Sequence, residues 1–513
     1  HSHNITAQQY AALATSRTPI GHVFTQHGPG QHNFAFRNRL RSRILAEVTD
    51  RIVAVSQDTA AQMRSHFSIP WGRIDRGMIP SPELGGDPLA DKDDRRRMRA
   101  LAVLCLNYQE QHVFLPAPLL LQEINRRIEV QPEYKRHRFT PQYWEADEEF
   151  LGEALHLRTE NDDLFVYLRS AWEDERLIET KLRFLLDGPD IKLTRPVTEA
   201  TWSGFLFDTA SVLASKAGDE YRKAIQGQVA ACQRVFIRPL TVLAGAAGTG
   251  KTTVIKAIIK AIKKGHGAGT SVIALAPTGK AADRIREILE QDDLLKGTCE
   301  TATIHSFLAK RGWLNPNMTF KRDGGEVEEG FSTLILDETS MLNLDLAASL
   351  FRAVRWQKVQ RLILVGDPNQ LPPIGRGRVF ADIIDHLRAN EPDSIATLQD
   401  NLRQLENRVF GRGTGILDLA ALYIRSEAQS AKNEEDSLAA EDVLRRVQEG
   451  GDVDHDLRVI YWNDAEKLPA DLIECITRDI EGVTGKKVDP EKPFELWRKG
   501  FDNRPEAFQI LSP

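Results

Sequence analysis

The sequence predicts an α/β protein in which helices flank a parallel β-sheet. The prediction depends on two observations. From about residue 226, short apolar strands, glycine-rich turns and helical patterns alternate, and this order favours parallel strands joined by crossover helices. Three of the strands, 241–244, 333–336 and 361–365, are followed directly by polar or glycine-rich loops. Because parallel strands end at the same edge of a sheet, we expect the three loops to meet there.

The region before the sheet, residues 103–225, is dominated by amphipathic helical patterns. Such patterns bury one face of each helix, so they predict a mainly helical accessory region. The side chains expected to anchor its core are Trp144, Tyr167, Leu168 and Trp172.

The composition is that of an ordinary soluble protein. Of the 513 residues, 41% are hydrophobic and 27% are charged, which is enough apolar material for several cores and excludes wholesale disorder, collagen and a coiled-coil rod. No apolar run approaches the roughly 18–20 residues that cross a bilayer, so we expect no membrane partner. The net charge of −6 excludes a histone-like polycation, but a local basic groove is compatible with it.

The four cysteines are far apart in the sequence and form no CxxC pair; they are Cys105, Cys232, Cys299 and Cys475. This spacing argues against a disulfide framework and against a structural zinc site. We therefore expect free thiols and a reducing compartment, the cytoplasm.

The strand at 241–244 leads into Gly245–Thr252, which has the pattern GxxxxGK[ST] and is followed by a helical segment. Glycines allow successive backbone N–H groups and the helix N-terminus to approach a polyphosphate closely. Lys251 is expected to reach the β- and γ-phosphates, and the Thr252 hydroxyl to bind Mg²⁺. The expected nucleotide-binding residues here are Gly245, Ala246, Ala247, Gly248, Thr249, Gly250, Lys251, Thr252 and Thr253.

Two adjacent carboxylates, Asp337 and Glu338, follow the strand at 333–336. A nucleotide hydrolase needs one carboxylate near Mg²⁺ and another that orients the attacking water. We assign Asp337 to the metal and Glu338 to the water.

The third strand leads into the proline- and glycine-rich loop Gly366–Gly375. Proline and glycine favour a fixed turn at this edge of the sheet. Gln370 in this loop carries a neutral amide that can both donate and accept, and we predict that it senses the γ-phosphate.

Taken together, these motifs resemble the superfamily 1 helicases, and in particular their RecD-like, 5′→3′ branch with a RecA-like, P-loop NTPase sheet. The resemblance is strongest over 226–404 and extends more weakly from about 112 to 513. The motifs that carry it are Gln228, Gly245–Thr252, Ala276–Lys280, Thr303–Ser306, Asp337–Met341, Gly366–Gly375 and Leu402–Gln404.

The resemblance implies an ATP- and Mg²⁺-dependent motor that acts on single-stranded DNA or tailed duplex DNA. It implies that Gln228 recognises adenine and that Arg403 contacts the γ-phosphate, where a planar guanidinium suits the developing charge. The residues that it implies for DNA contact are Pro277, Thr278 and His305. The residues by themselves do not distinguish DNA from RNA.

Two later motifs of the family are not found by residue 513, so we expect an incomplete second motor lobe. The first residues are typical of a domain interior and the last segment is an apolar, strand-like run, so we also expect a fragment at both ends. Four domains are expected. They are a partial glycosyltransferase-like Rossmann segment at 1–102, a helical accessory domain at 103–225, a RecA-like ATPase lobe at 226–400 and the incomplete second motor lobe at 401–513.

Near the N-terminus, His1–Asn4, Thr25–Gly28 and Asp50–Ser56 resemble part of the N-terminal lobe of a family 4-type glycosyltransferase. The resemblance covers about residues 1–80 and implies a partial Rossmann-like segment. The donor-sugar lobe is not found, so we do not expect sugar transfer. The group His1, His3, His27 and His32 is interpreted as solvated loop residues rather than metal ligands.

The leading hypothesis is therefore an ATP-driven translocase or helicase. Two alternatives stay open. One is a DNA-binding module that ATP switches but that does not unwind, and the other is a glycosyltransferase fragment carried by the first 80 residues.

Overall fold

The structure, a computed structural model, describes residues 23–26, 51–54, 95–108, 112–129, 138–146, 148–267, 269–422, 434–454, 456–461, 464, 466–485 and 487. The chain divides into two compact units, His1–Arg403 and Gln404–Pro513. The motif at 1–4 and the four histidines named above lie outside the described residues. Within the described ranges, no helix is long and apolar enough to cross a membrane.

Close to the N-terminus, strands β1 (Val23–Gln26) and β2 (Arg51–Ala54) pair in parallel, with Val23 opposite Arg51. β2 lies within Asp50–Ser56, one of the stretches that carry the resemblance to a glycosyltransferase lobe. A parallel pair requires a crossover connection between its strands, which agrees with the Rossmann-like segment that the sequence predicts.

The accessory region is mainly helical, as predicted. Its helices are α1 (Arg95–Tyr108), α2 (Ala117–Glu129), α3 (Gln142–Ala146), α4 (Glu148–Gly152), α5 (Arg169–Leu186), α6 (Glu199–Leu206), α7 (Val212–Lys216) and α8 (Gly218–Val235). Of the expected core anchors, Trp144, Tyr167 and Leu168 are buried. Trp172 is only half-buried and stacks on His156, with ring centroids 4.0 Å apart.

This region also contains an antiparallel sheet that the sequence did not predict. Its strands are β3 (Phe114–Pro116), β4 (Leu155–Glu160) and β5 (Asp163–Leu168), in the order β3-β5-β4. Asn161 and Asp162 join β4 to β5 with φ angles of 51° and 69°, the left-handed values that a two-residue hairpin turn requires. Such short strands contain too few alternations to be separated from helical patterns by periodicity.

The central sheet has six parallel strands in the order β11-β6-β10-β9-β7-β8. They are β6 (Leu240–Gly245), β7 (Val272–Ala276), β8 (Cys299–Thr303), β9 (Thr333–Leu336), β10 (Arg361–Gly366) and β11 (Ile395–Leu398). The main helices between them are α9 (Lys251–His266), α10 (Gly279–Glu290), α11 (Ile304–Lys310), α12 (Leu344–Arg352) and α13 (Val379–Asn390). Every residue of β6, β7, β9 and β10 is buried, as in sheets covered on both faces. The predicted α/β fold is confirmed.

The second unit is small in its described part. Helix α14 (Leu402–Phe410) spans the division between the units, and α15 (Gly415–Leu422), α16 (Glu434–Glu449), β12 (Gly451–Asp454), β13 (Leu457–Val459) and α17 (Leu468–Thr484) follow. β12 and β13 form an antiparallel pair. The Asp454 carboxylate accepts hydrogen bonds from the backbone N–H groups of Thr414 and Gly415, so it caps the start of α15.

A buried ion cluster joins the accessory region to the central sheet. Asp174 on α5 is only 4% exposed and forms ion pairs with Arg352 at the end of α12 and with Arg322. A buried carboxylate of this kind is tolerated because both guanidinium groups compensate its charge. The cluster fixes α5 against the lobe that contains the central sheet.

We expect Asp174→Ala to lower the free energy of unfolding of the first unit by about 3 kcal/mol, because it leaves the largely buried Arg352 guanidinium without its carboxylate. The matched control is Glu173→Ala, since the Glu173 side chain is half exposed and its ion pair with Arg322 is worth at most about 1 kcal/mol. Urea unfolding followed by circular dichroism measures both. Equal destabilisation by the two variants would contradict a buried role for Asp174.

Candidate functional site

The three predicted loops meet at one edge of the central sheet. β6, β10 and β9 are neighbours, and the loops Gly245–Thr252, Gly366–Gly375 and Asp337–Glu338 follow their carboxyl ends. Parallel strands place these ends side by side, so the sheet order brings together residues that are about 90 positions apart in sequence.

The glycine-rich loop has a backbone that only glycine tolerates. Gly248 and Gly250 have φ angles of 90° and 83°, in the left-handed region that L-residues rarely adopt. A Cβ atom at Gly250 would lie 2.9 Å from the Gln228 amide nitrogen, and one at Gly248 would lie 2.8 Å from the Arg403 Cβ atom. α9 begins at Lys251, so its free N–H groups point into the loop. The loop is therefore a cradle for an anion.

Lys251 lies across this cradle. Its ammonium group donates to the carbonyl oxygens of Gly245, at 2.8 Å, and Ala246, at 3.1 Å. These two neutral acceptors are weaker partners for an ammonium group than ionised oxygens are. Phosphate oxygens can thus replace the two carbonyl oxygens as partners. The Lys251 ammonium group already lies at the loop, where it would meet a phosphate.

Gln228 on α8 contacts the glycine-rich loop through its side chain. The residue is 3% exposed, and its side-chain Nε2 donates to the Thr249 carbonyl oxygen at 2.9 Å. Its Oε1 is buried and has no hydrogen-bond partner in the part of the chain that the structure describes. A buried amide oxygen without a donor is unusual, and the exocyclic amino group of adenine would satisfy it. This unpaired acceptor is chemically compatible with the adenine base that the resemblance implies.

The acid pair occupies two different environments. Asp337 is 6% exposed and accepts a hydrogen bond from the Glu338 backbone N–H at 2.9 Å. Burial raises the pKa of the Asp337 carboxyl to about 6, the negative charge of Glu338 adds to this, and Lys251 partly offsets it. Thr252 is also buried, and its hydroxyl with the Asp337 carboxylate provides the oxygen ligands that Mg²⁺ prefers beside phosphates. These residues fit a divalent cation.

Glu338 is half-buried and has a left-handed backbone, with a φ angle of 49°. Its carboxylate accepts from the Gln370 side-chain amide at 3.3 Å, and the Ser340 hydroxyl donates to the Gln370 amide oxygen at 2.5 Å. The strained conformation and the amide contact hold the carboxylate beside the loop from β10. The predicted sensor residue thus contacts the predicted water-orienting residue directly.

The segment after β11 closes the cradle. The Arg403 backbone N–H donates to the Gly248 carbonyl oxygen at 3.2 Å, and the Asn401 amide donates to the Ala247 carbonyl oxygen at 3.0 Å. The Arg403 side chain is exposed. Sequence analysis assigned no role to Asn401 or Ser340. The only signal in the sequence for a role at the site was their position. Asn401 is two residues before Arg403, and Ser340 is two residues after Glu338.

The residues predicted to contact DNA lie farther along the same edge, after β7 and β8. Thr278 caps α10 by accepting from the Ala281 backbone N–H at 3.3 Å, and the His305 ring is 5.7 Å from the Phe320 ring. Pro277, Thr278 and His305 are all half-buried. They follow neighbouring strands, as the three nucleotide loops do, and are separated from β6 by β10 and β9.

The raised pKa of Asp337 predicts a pH-dependent cost of ionising this residue. An unfolded aspartate titrates near 3.8. The free energy of unfolding of the wild type therefore falls as the pH rises from about 4 to about 6, by up to about 3 kcal/mol. Without divalent cations, Asp337→Asn is expected to have a higher free energy of unfolding than the wild type at pH 8, and the gap should close towards pH 4. Urea midpoints across this range measure the difference; equal midpoints at pH 8 would show that Asp337 ionises there without cost.

Two family models match parts of the chain. Residues 228–376 match the family described as "AAA domain", and residues 1–76 match "Glycosyltransferase Family 4". The first range begins at Gln228 and contains the glycine-rich loop, the acid pair and Gln370. The second contains β1 and β2.

Two curated proteins and one solved structure are similar to the chain. An uncharacterized protein of Methanocaldococcus jannaschii is 28% identical over 323 residues, which are 61% of this chain and 27% of that protein. The RecBCD enzyme subunit RecD of Mycobacterium tuberculosis is 31% identical over 282 residues, 52% of this chain and 42% of that subunit. The crystal structure of the Pif1 helicase from Candida albicans aligns with a TM-score of 0.22 and 20% identity, covering 39% of this chain and 43% of that one.

The chain thus spans less than half the length of both curated relatives. The AAA family match begins and ends within the region where the motifs were found, and RecD subunits from several bacteria are among the relatives. The resemblance to RecD-like helicases is therefore confirmed, together with that of the first residues to family 4 glycosyltransferases.

Proposed function

We propose that this chain is an ATP-driven motor, a single-stranded-DNA translocase or helicase that moves 5′→3′. The observation that carries the proposal is the meeting of three loops on adjacent strands. The anion cradle after β6, the acid pair after β9 and the Gln370 loop after β10 are the parts that a nucleotide hydrolase needs at one site.

ATP would bind at this edge of the sheet. The free N–H groups at the start of α9 and the Lys251 ammonium would hold its phosphates, and Gln228 would pair with adenine. Thr252 and Asp337 would hold Mg²⁺, which neutralises phosphate charge when it is bound. The cation would also favour the ionised form of Asp337, whose burial otherwise favours the protonated form.

Glu338 would orient the attacking water. Its carboxylate is beside Gln370, so the amide can pass from Glu338 to the γ-phosphate when ATP is present and return after hydrolysis. Arg403 would stabilise the charge that develops on the γ-phosphate. Because its backbone binds the cradle at Gly248, a change in the cradle reaches the start of α14 directly.

The DNA strand would run along the same edge, over Pro277, Thr278 and His305. β7 lies beside β9 and β8 lies beside β7, so the acid pair borders the proposed track. We propose single-stranded DNA or tailed duplex DNA as the partner and the cytoplasm as the location. All four cysteines are free thiols, in keeping with a reducing compartment.

We expect single-stranded DNA to stimulate ATP hydrolysis by the full chain, and Lys251→Ala to lower the stimulated rate by roughly 100-fold, because it removes a charge held at the transferred phosphate. The control is Lys264→Ala in the last turn of the same helix, where the ammonium group is exposed and donates to the Thr201 hydroxyl. A phosphate-release assay with and without DNA measures both. Hydrolysis that survives Lys251→Ala would show that the cradle is not the catalytic site.

A second variant separates chemistry from binding. Glu338→Gln removes the water-orienting charge and keeps the shape, so we expect kcat to fall by roughly 100-fold or more while nucleotide affinity stays within a few-fold. The control is Glu329→Gln, whose carboxylate is exposed and pairs with Arg355. Equal loss of affinity and turnover in Glu338→Gln would assign this residue to binding instead.

Strand displacement on a tailed duplex distinguishes the motor from the alternative of an ATP-switched DNA-binding module. Displacement that requires ATP and a 5′ tail supports the motor. ATP-dependent DNA affinity without displacement supports the switched module.

A further inference from the structure

The accessory sheet has two chemically different faces. Side chains alternate along a strand, and those of Leu115, Leu155, Val166 and Leu168 point into the hydrophobic core. The opposite face carries Phe114, His156, Arg158, Phe165 and Tyr167, which the strand register places opposite one another. We call the rings of Phe114, His156, Phe165 and Tyr167, together with that of Trp172 from α5, the aromatic face.

The rings of the aromatic face form a continuous row. Phe114 is 5.4 Å from Phe165 and 4.9 Å from Tyr167, centroid to centroid. Tyr167 is 5.1 Å from Trp172, which stacks on His156. The row ends in solvent, since Phe114 is 40% exposed and Phe165, His156 and Trp172 are half-buried. Exposed rings in such an array offer π-faces to a ligand.

Arginines border these rings. The guanidinium carbons of Arg176 and Arg158 lie 4.5 Å and 5.7 Å from the Trp172 ring centroid. Their side chains are nearly half exposed, and each pairs with one glutamate, Glu179 or Glu160. Arg169 is exposed and has no carboxylate within ion-pair distance among the described residues. A third carboxylate, Glu175, also acts on Tyr167, but burial raises the pKa of the Glu175 carboxyl and so disfavours its charged form. Arg169 is therefore the guanidinium group beside the rings that no described carboxylate pairs with.

The pKa of His156 also reflects the charges of these arginines. Burial lowers the pKa of the His156 imidazole, and the charges of Arg169, Arg158 and Arg176 lower it further. The neutral form of the ring that stacks on Trp172 is therefore favoured. The three arginines act on this ring together, so the electrostatic field at His156 favours an anion.

The aromatic face adjoins the ATPase lobe. Val113, the residue before Phe114, lies against Gly377, where an added Cβ atom would be 3.3 Å from the Val113 side chain. Gly377 closely follows the loop Gly366–Gly375, in which Leu371 and Ile374 are 87% and 94% exposed. β3 thus begins beside the segment that follows this loop.

We propose that the aromatic face is a second binding site for single-stranded DNA, where bases stack on the exposed rings and the neighbouring guanidinium groups contact backbone phosphates. Stacked aromatic rings beside cations are the features by which proteins hold single strands without reading their sequence. The site lies outside the residues assigned to ATP or to DNA above, and it rests on the proposed function only in the choice of DNA as the polymer.

The test measures the affinity of a fluorescent oligodeoxythymidine for the full chain by anisotropy, without nucleotide. Phe114→Leu keeps apolar volume and removes the ring, so the affinity should fall by about five-fold or more. Arg169→Ala should reduce the slope of log affinity against log salt by about 0.7, the value for one phosphate contact on a single strand. Phe184→Leu on α5 is the control, since this exposed phenylalanine lies outside the aromatic face.

Ultraviolet cross-linking to the same oligonucleotide should attach it to peptides that contain Phe114 or Trp172. Wild-type affinity in Phe114→Leu and Arg169→Ala, or equal losses in Phe184→Leu, would overturn the proposal. So would cross-links confined to other peptides, an absence of DNA binding, or a stronger preference for oligouridine than for oligodeoxythymidine.

The two proposals can fail separately. If Phe114→Leu weakens DNA binding but the chain hydrolyses no ATP, the second binding site is supported and the motor function is contradicted. If DNA stimulates ATP hydrolysis equally in the wild type, in Phe114→Leu and in Arg169→Ala, and all three bind the oligodeoxythymidine with the same affinity, the motor function is supported and the second binding site is contradicted.

Discussion

The site depends on one packing constraint, the parallel alignment of β6, β10 and β9. These strands are buried on both faces, so their backbone groups must pair with each other and their relative register cannot slip without exposing or crowding the helices on either side. That register places the anion cradle, the acid pair and the Gln370 loop at one edge of the sheet, with Gln370 within hydrogen-bond distance of Glu338. A looser scaffold would bring the same residues together only at an entropic cost.

Two polar groups at the site are left in states that a nucleotide and its cation would relieve. Asp337 is buried where its charged form is unfavourable, and the Gln228 amide oxygen is buried without a donor. Both features oppose folding in isolation, because buried polar groups lose their hydration. An adenine amino group and a divalent cation would supply what each group lacks, so the site is organised before it binds.

The accessory region is coupled to this lobe by contacts on both sides of α5. Asp174 pairs with arginines of the central-sheet lobe, and Trp172, two residues earlier, stacks on the accessory sheet. A helix held at both faces transmits small displacements as a rigid element. The accessory sheet and the central-sheet lobe are thus connected by packing as well as by chain continuity.

The sequence by itself determined the strands at 241–244, 333–336 and 361–365, the loops after them and the residue types in each, because these signals are local: an apolar run, a glycine pattern, adjacent carboxylates. It did not reveal the accessory sheet, since β3 has three residues and β4 and β5 have six each. Nor did it reveal the contacts of Asn401 with Ala247 and of Ser340 with Gln370. Those pairs are 154 and 30 residues apart, and only the order of the strands brings them together.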